Sequence, residues 1–164
     1  IWFIVPPTGC SGEIGNEMRG FKMGNVKCEL CAAPGGVVLW QGMRCRVVQV
    51  DEPGYPGFCR VIWNTHVREM SDLVEADRAH CMAVVFAVER VLREIMAPTK
   101  INLASLGNMV AHVHWHVIPR FTDDAHFPQP IWGARQRNGV SARHDVSGLA
   151  AALQSAGAQS TLVW

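Results

Sequence analysis

The spacing of apolar and polar positions predicts three short strands in the first part of the chain. Apolar runs over residues 37–40, 44–50 and 58–63 are bounded by turns rich in Gly and Pro, which is typical of strands. The first two runs are separated by only a few residues. So short a link predicts antiparallel pairing, because a parallel crossover needs about a dozen residues or more.

A single long helix is predicted after these strands. Its apolar positions recur at helical spacing and form one stripe: Cys81, Val84, Val85, Val88, Leu92 and Ile95. We expect Ser71 to cap the helix N-terminus. Three carboxylates suit the positive end of the helix dipole: Asp72, Glu75 and Asp77. Pro98 is expected to end the helix, because proline cannot continue its backbone hydrogen bonding.

Two more strands and a polar tail follow the helix. Apolar runs over residues 101–106 and 112–118 predict the strands, and residues 145–156 are expected to form a short C-terminal helix. The fold class is therefore α+β. It has about five strands in one antiparallel sheet, one long central helix and the short C-terminal helix.

The length and composition are those of one globular domain. The 164 residues are 49% hydrophobic and 18% charged, which is the balance of a folded chain rather than a disordered one. Residues 1–22 have no clear period, so we expect them to be an N-terminal extension. The domain is expected over residues 23–133, and residues 134–164 are expected to be a C-terminal tail that carries the short helix.

Charge, hydropathy and cysteine content limit the partners and the location that we expect for this chain. Lys plus Arg number 15 and Asp plus Glu number 14, so the charge balance provides no basis for binding long nucleic acid. No apolar run reaches the roughly 20 residues of a membrane-spanning helix, so no membrane partner is expected. The six cysteines are expected to be reduced, because a chain of this length needs no disulfide staples. Reduced cysteines predict a cytoplasmic protein.

Histidine occupies alternate positions at the start of the last predicted strand: His112, His114 and His116. Successive side chains of a strand point to opposite faces, so the three imidazoles share one face and the apolar residues between them face the core. Such a row suits acid–base or nucleophilic chemistry, and it equally suits a metal ion. A polar face without chemistry is a third alternative, and the spacing alone does not decide between them.

Small and amide-bearing residues precede the histidines. Gly107 and Asn108 come directly before this segment, after Asn102 and Ser105. Open backbone N–H groups and neutral amide donors suit phosphate oxygens. A Gly-Asn pair is also typical of a plain turn.

The run Gly-Asn-Met-Val-Ala-His-Val-His-Trp-His-Val-Ile over residues 107–118 resembles the signature of the histidine triad (HIT) family, in which three histidines alternate with apolar residues. The similarity extends from about Cys28 to Trp132 and includes residues 58–67 ahead of the predicted helix. Residues 103–133 are similar to bacterial HIT hydrolases of the diadenosine polyphosphate hydrolase type. The resemblance implies a HIT-like fold.

The resemblance also implies an activity, that of a nucleotide hydrolase or transferase. The reaction takes place at the α-phosphorus of nucleoside phosphate anhydrides or phosphoramidates, including dinucleoside polyphosphates. His114 has the position of the family's nucleophile, which forms a covalent nucleotidyl-histidine intermediate. His116 is then expected to contact the leaving group, and His112 to orient the strand and His114.

Four further residues match positions that bind the nucleotide in the family. Asn108 and Gly107 are expected at the phosphate, and Asn102 is a second phosphate candidate. Asp51 is expected to bind the ribose hydroxyls, although it could instead cap the turn that follows it. Met109 departs from the family pattern, because Ser or Thr is usual there and could donate a hydrogen bond.

Cys28-Glu-Leu-Cys31 is a C-x-x-C motif, which can serve redox chemistry or bind a metal. A structural zinc ion needs two further ligands. The resemblance implies that His66 and His112 supply them. The alternative is two buried thiols with His66 on the surface. No organic cofactor is expected.

The resemblance implies a homodimer that acts on a small nucleotide. Two other functions remain open on the sequence. One is a nucleotide-binding or scaffold protein with vestigial catalysis, which Met109 favours. The other is a metalloenzyme in which all three histidines of the triad are ligands.

Overall fold

The computed structural model describes residues 28–139 and 146–159, which form five short strands and three helices. The helices are α1 (Glu29–Ala32), α2 (Glu75–Met96) and α3 (Leu149–Gln159), with a 3-10 turn at Met70–Asp72. The strands are β1 (Val37–Gln41), β2 (Cys45–Gln49), β3 (Cys59–Trp63), β4 (Lys100–Ala104) and β5 (His114–Arg120).

The five strands form one sheet in the order β1-β2-β3-β5-β4, and all neighbours are antiparallel. Strand β5 therefore lies between β3 and β4, and α2 connects these two strands along the chain. The register pairs His116 of β5 with Arg60 of β3, and His114 with Ile62. The predicted α+β fold, with five antiparallel strands and one long helix, is confirmed.

The main core lies between α2 and one face of the sheet. Helix α2 contributes Val84, Val88 and Leu92, which are almost completely buried. Strand residues such as Val61 and Val117 meet them from the sheet. Burial of each such side chain stabilises the fold by about 1.5–3 kcal/mol relative to its exposure.

The start of the long helix differs from the prediction. Ser71 does not cap it, because Met70–Asp72 form the 3-10 turn and α2 begins at Glu75. Leu73 is buried in the core, so the chain turns inward before the helix starts. Asp72 therefore lies outside the first helical turn, whereas Glu75 and Asp77 lie within it as predicted.

The end of the long helix is as predicted. Met96 is its last residue, and Ala97 adopts a left-handed conformation with φ of 43° before Pro98. The apolar stripe is shifted at this end, where Met96 is buried and Ile95 is exposed.

Two strand boundaries and one helix also differ. Strand β5 begins at His114 and not at residue 112, and β4 ends at Ala104. Before β5 the chain bends, and the N–H of His112 donates to the carbonyl of Val110 (2.8 Å). The four-residue helix α1 was not predicted. It begins directly after Cys28 and contains Cys31, so the C-x-x-C motif lies at its start.

The tail folds back onto the domain through α3. Leu149 and Leu153 are buried in the main core cluster. The helix predicted over residues 145–156 begins and ends later, at Leu149 and Gln159. Residues 1–22 and 160–164 lie outside the described residues. The division into extension, domain and tail thus stays a prediction. None of the helices that the structure describes has the length and apolarity needed to cross a membrane.

Candidate active site

The three histidines of the triad lie on the sheet face that is turned away from the main core. His112, His114 and His116 are only 1%, 7% and 5% exposed. The alternating Val113 and Val117 belong to the main core cluster. The predicted division of the two faces is therefore confirmed, although His112 precedes β5 rather than lying in it.

The backbone determines the tautomer of His114. Its Nδ1 lies 2.6 Å from the carbonyl oxygen of His112, and a carbonyl can only accept, so Nδ1 carries the proton. The lone pair of the neutral ring is consequently on Nε2. The hydroxyl of Ser105 donates to the carbonyl of His114 (2.8 Å) and holds this part of β5 against the preceding loop.

Burial keeps the rings of His114 and His116 neutral near pH 7. Burial lowers the pKa of His116 to about 3, and the nearby His114 and Arg60 contribute to the same shift. The pKa of His114 is also lowered by burial, against the opposing effect of its hydrogen bond to His112. The two rings are 4.8 Å apart and nearly perpendicular, and Nδ1 of His116 is buried without a partner in the described structure.

A cavity of about 530 Å³ opens beside these two rings. Its polar wall consists of Glu29, Arg60, Gly107, Asn108, His114 and His116. Its apolar wall consists of Leu30, Leu106, Met109, Val110 and Trp132. Residues from α1, β3, β5 and two loops thus enclose one space beside the triad.

The predicted nucleotide-binding residues divide into two groups. Gly107 and Asn108 line the cavity, and Gly107 has a φ of 73°, a conformation that favours glycine. Asn102 and Asp51 are not part of the cavity wall. The side-chain oxygen of Asn102 accepts a hydrogen bond from Arg120 (2.6 Å).

Arg60 and Trp132 line the cavity and are not among the predicted site residues. Arg60 lies opposite His116 across the β3–β5 pair, and strand alternation could have placed it on this face had the pairing been known. The ring of Trp132 lies 5.0 Å from that of His116. Trp132 belongs to no spaced motif, because it reaches the site from a loop.

A second cluster lies beside the triad and brings together the four predicted metal ligands: Cys28, Cys31, His66 and His112. Their ligand atoms all lie within 4.8 Å of one another. The closest pairs are Cys28 Sγ to His112 Nδ1 and Cys31 Sγ to His66 Nδ1, both at 3.4 Å. The edge of a zinc tetrahedron with N and S ligands is about 3.3–3.8 Å, so this set could hold a metal ion.

His112 is oriented for a role as a ligand. Its Nε2–H donates to the carbonyl of Trp63 (2.6 Å), which leaves the lone pair of Nδ1 facing the two cysteines. A backbone acceptor on the opposite nitrogen is the usual support of a metal-binding histidine. Within the described residues, neither His114 nor His116 belongs to a group that could hold a metal. The three rings thus do not converge on one ion.

Acid is expected to destabilise the fold through His116. Its pKa is about 3 in the folded chain and about 6.5 in an unfolded one, so the unfolded state binds more protons between these values. The free energy of unfolding should therefore fall as the pH is lowered from about 6.5 towards 3. In urea titrations between about pH 7 and 5, we expect the free energy of unfolding to fall less steeply in His116→Gln than in the parent chain. The difference in slope should correspond to the uptake of at most one proton on unfolding.

The variant and the parent chain contain the same four candidate metal ligands. Any effect of acid on those ligands therefore cancels when the two slopes are compared. Equal slopes for the variant and the parent chain would show that His116 is not protected from protonation.

Comparisons with known proteins agree with the fold and with the triad. The family model of the HIT domain matches residues 35–123. An AP-4-A phosphorylase of Mycobacterium tuberculosis is 29% identical over 106 residues, which are 61% of this chain and 54% of that protein. The chain therefore spans about half the length of this curated relative.

Solved structures show the same fold. A histidine triad protein from Bradyrhizobium japonicum is 29% identical with a TM-score of 0.62, over 74% of this chain and 90% of the other. A zinc-bound histidine triad family protein from Mycobacterium smegmatis is 24% identical with a TM-score of 0.56, over 83% and 96% of the two chains. Because the family model matches more than half of the residues of this chain, the chain belongs to the histidine triad family.

Proposed function

We propose that this chain is a nucleotide hydrolase or transferase in which His114 attacks the α-phosphorus of a nucleoside phosphate anhydride or phosphoramidate. The observation that carries the proposal is the hydrogen bond from Nδ1 of His114 to the carbonyl of His112, beside the cavity. It leaves a neutral imidazole with its lone pair on Nε2. A neutral imidazole is a competent nucleophile near pH 7.

Two displacements make up the reaction. In the first, the lone pair of His114 Nε2 forms a P–N bond while the bond from phosphorus to the leaving group breaks. The leaving group departs with the bonding electrons and takes a proton from solvent. In the second, an acceptor oxygen attacks phosphorus, its proton goes to solvent, and the electrons of the P–N bond return to Nε2.

The other residues assist these steps. His116 is neutral and adjacent to His114, so its N–H can hydrogen-bond the leaving group without carrying a charge. Asn108 and the backbone at Gly107 are proposed phosphate donors on the cavity wall. Asp51, at the ribose, and Asn102 stay predictions that a nucleotide complex would test.

The acceptor is either water or inorganic phosphate. The related mycobacterial protein is described as an AP-4-A phosphorylase, and this favours a dinucleoside polyphosphate substrate with phosphate as acceptor. Chromatography of the products with and without added phosphate distinguishes the two: phosphate as acceptor yields a nucleoside diphosphate, and water yields a monophosphate. We expect turnover in at least one of these conditions.

A trapped intermediate tests the covalent mechanism directly. We expect mass spectrometry of rapidly quenched mixtures to find a nucleoside monophosphate adduct on the peptide that contains His114. The same peptide from His114→Asn should carry no adduct. Measurable turnover without any adduct over repeated quench times would exclude the covalent route. Tight nucleotide binding with neither adduct nor turnover would instead identify a binding or scaffold protein.

We also infer a structural zinc ion at Cys28, Cys31, His66 and His112. The donor set and spacing fit zinc, and the zinc-bound mycobacterial relative shares the fold. A bound zinc ion would hold α1 and the segment before β5 together, and it would take no part in the displacement. The homodimer and the cytoplasmic location stay predictions.

A further inference from the structure

Arg60 is a charged residue of the cavity, and neither the motif nor the proposed mechanism assigns it a role. It lies in β3, and its Cα is paired with that of His116. Directly paired residues of neighbouring strands project to the same face of a sheet. Arg60 thereby reaches the cavity beside His114 and His116.

One nitrogen of the Arg60 guanidinium lacks the partner that a buried donor requires. Its Nε is buried and has no hydrogen-bond acceptor in the part of the chain that the structure describes. Its guanidinium carbon lies 5.7 Å from the centre of the Phe58 ring. Burying an unpaired donor on a charged group costs free energy, so an acceptor is expected when the site is occupied.

Two other arginines of the sheet show what a structural arginine looks like in this fold. Arg46 donates to the carbonyl of Pro34 (2.9 Å) and to that of Leu30. Arg120 forms a two-pronged ion pair with Asp124, with N–O distances of 2.7 and 2.9 Å. Both therefore hold the fold together, whereas Nε of Arg60 contributes no such bond.

The charges of the cavity indicate which ligand Arg60 would meet. Along the cavity wall that the structure describes, Arg60 is the one permanently positive group, and Glu29 is the one carboxylate. The remaining polar groups there are neutral, and Met109 offers no donor. A phosphate group bound next to His114 would thus have a single full positive charge to neutralise it.

We propose that Arg60 binds a non-bridging oxygen of the α-phosphate and stabilises the negative charge that grows on the phosphoryl oxygens as His114 attacks. The inference rests on the proposed nucleotidyl transfer. It makes Arg60 a catalytic residue, because its charge touches the reacting phosphate. A charge-assisted bond of this kind is strong in a site shielded from water, because the local dielectric constant is low.

The test measures binding and turnover in Arg60→Gln, Arg60→Lys and the control Arg90→Gln. Arg90 lies on α2, outside the cavity, and its substitution makes the same change in net charge. Calorimetry with adenosine 5′-monophosphate and with adenosine isolates the phosphate contribution. A fluorogenic adenosine phosphoramidate measures kcat/KM.

We expect Arg60→Gln to weaken binding of the monophosphate by at least about 10-fold while the affinity for adenosine stays within about 2-fold. We expect kcat/KM to fall by about 100- to 1,000-fold, with partial recovery in Arg60→Lys. Arg90→Gln should match the parent chain in both assays. A purely structural role would lower the melting temperature and affect both ligands alike, and this result would overturn the proposal.

The binding measurement separates this inference from the proposed function. If the parent chain turns over the phosphoramidate and Arg60→Gln retains its kcat/KM within about 3-fold, the role of Arg60 is overturned and the nucleotidyl transfer stands. If the parent chain has no turnover but Arg60→Gln selectively loses the monophosphate, the proposed function fails and Arg60 remains the phosphate-binding residue. If the parent chain binds the monophosphate no more tightly than it binds adenosine, the role of Arg60 is overturned.

Discussion

Replacing His114 with asparagine is expected to lower kcat/KM for an adenosine phosphoramidate by about 10⁴-fold or more, because the chain then lacks the proposed nucleophile. Asparagine tests the role of the nucleophile more specifically than alanine does. Its side-chain N–H can still donate to the carbonyl of His112, so the buried acceptor keeps a partner. We expect the melting temperature to change little and nucleotide binding to persist.

The control for this variant is His114→Ala, which removes the hydrogen bond as well as the nucleophile. Both variants should lose activity to the same extent, and alanine alone should lower stability. If the asparagine variant keeps more than about a tenth of the activity, His114 is not the nucleophile.

Replacing Cys28 with serine is expected to abolish stoichiometric zinc binding and to lower the melting temperature by about 10 °C or more. Cys28 is buried, and its Sγ lies 3.4 Å from Nδ1 of His112. The four ligands come from the C-x-x-C motif at α1, from the loop after β3 and from the segment before β5. The ion would close these three parts into one unit, so its binding free energy contributes to folding.

Zinc content by elemental analysis and thermal unfolding, both with and without a chelator, measure this effect. Cys59→Ala is the matched control, because Cys59 is a buried cysteine outside the cluster. It should retain zinc at the level of the parent chain even if it is less stable. Parent protein that retains no zinc after incubation with the metal, or Cys28→Ser with unchanged zinc content, would contradict the structural zinc site.

His112 connects the two sites of this protein. Its ring faces the cysteines, and its carbonyl accepts from Nδ1 of His114. Loss of the metal would therefore also loosen the orientation of His114. Activity that falls on chelation is expected for this reason, even though no step of the reaction passes through the ion.

Features that depend on a repeating pattern of residues could be predicted from the sequence. The period of two in the triad placed His114 and His116 on one face, because alternation is a local property of any strand. The helical period predicted α2, and turn residues predicted the strands. Local backbone preferences decide these features, so a window of a few residues contains enough information.

Features that depend on contacts between distant segments could be seen only in the folded chain. Arg60 became a cavity residue because β3 pairs with β5, and Trp132 because a later loop passes over His116. The side chain of Asn102 accepts a hydrogen bond from Arg120. Leu73 is buried just before the long helix, which begins at Glu75 rather than after Ser71. Burial and pairing are set by the whole fold, and the pattern along the chain does not contain them.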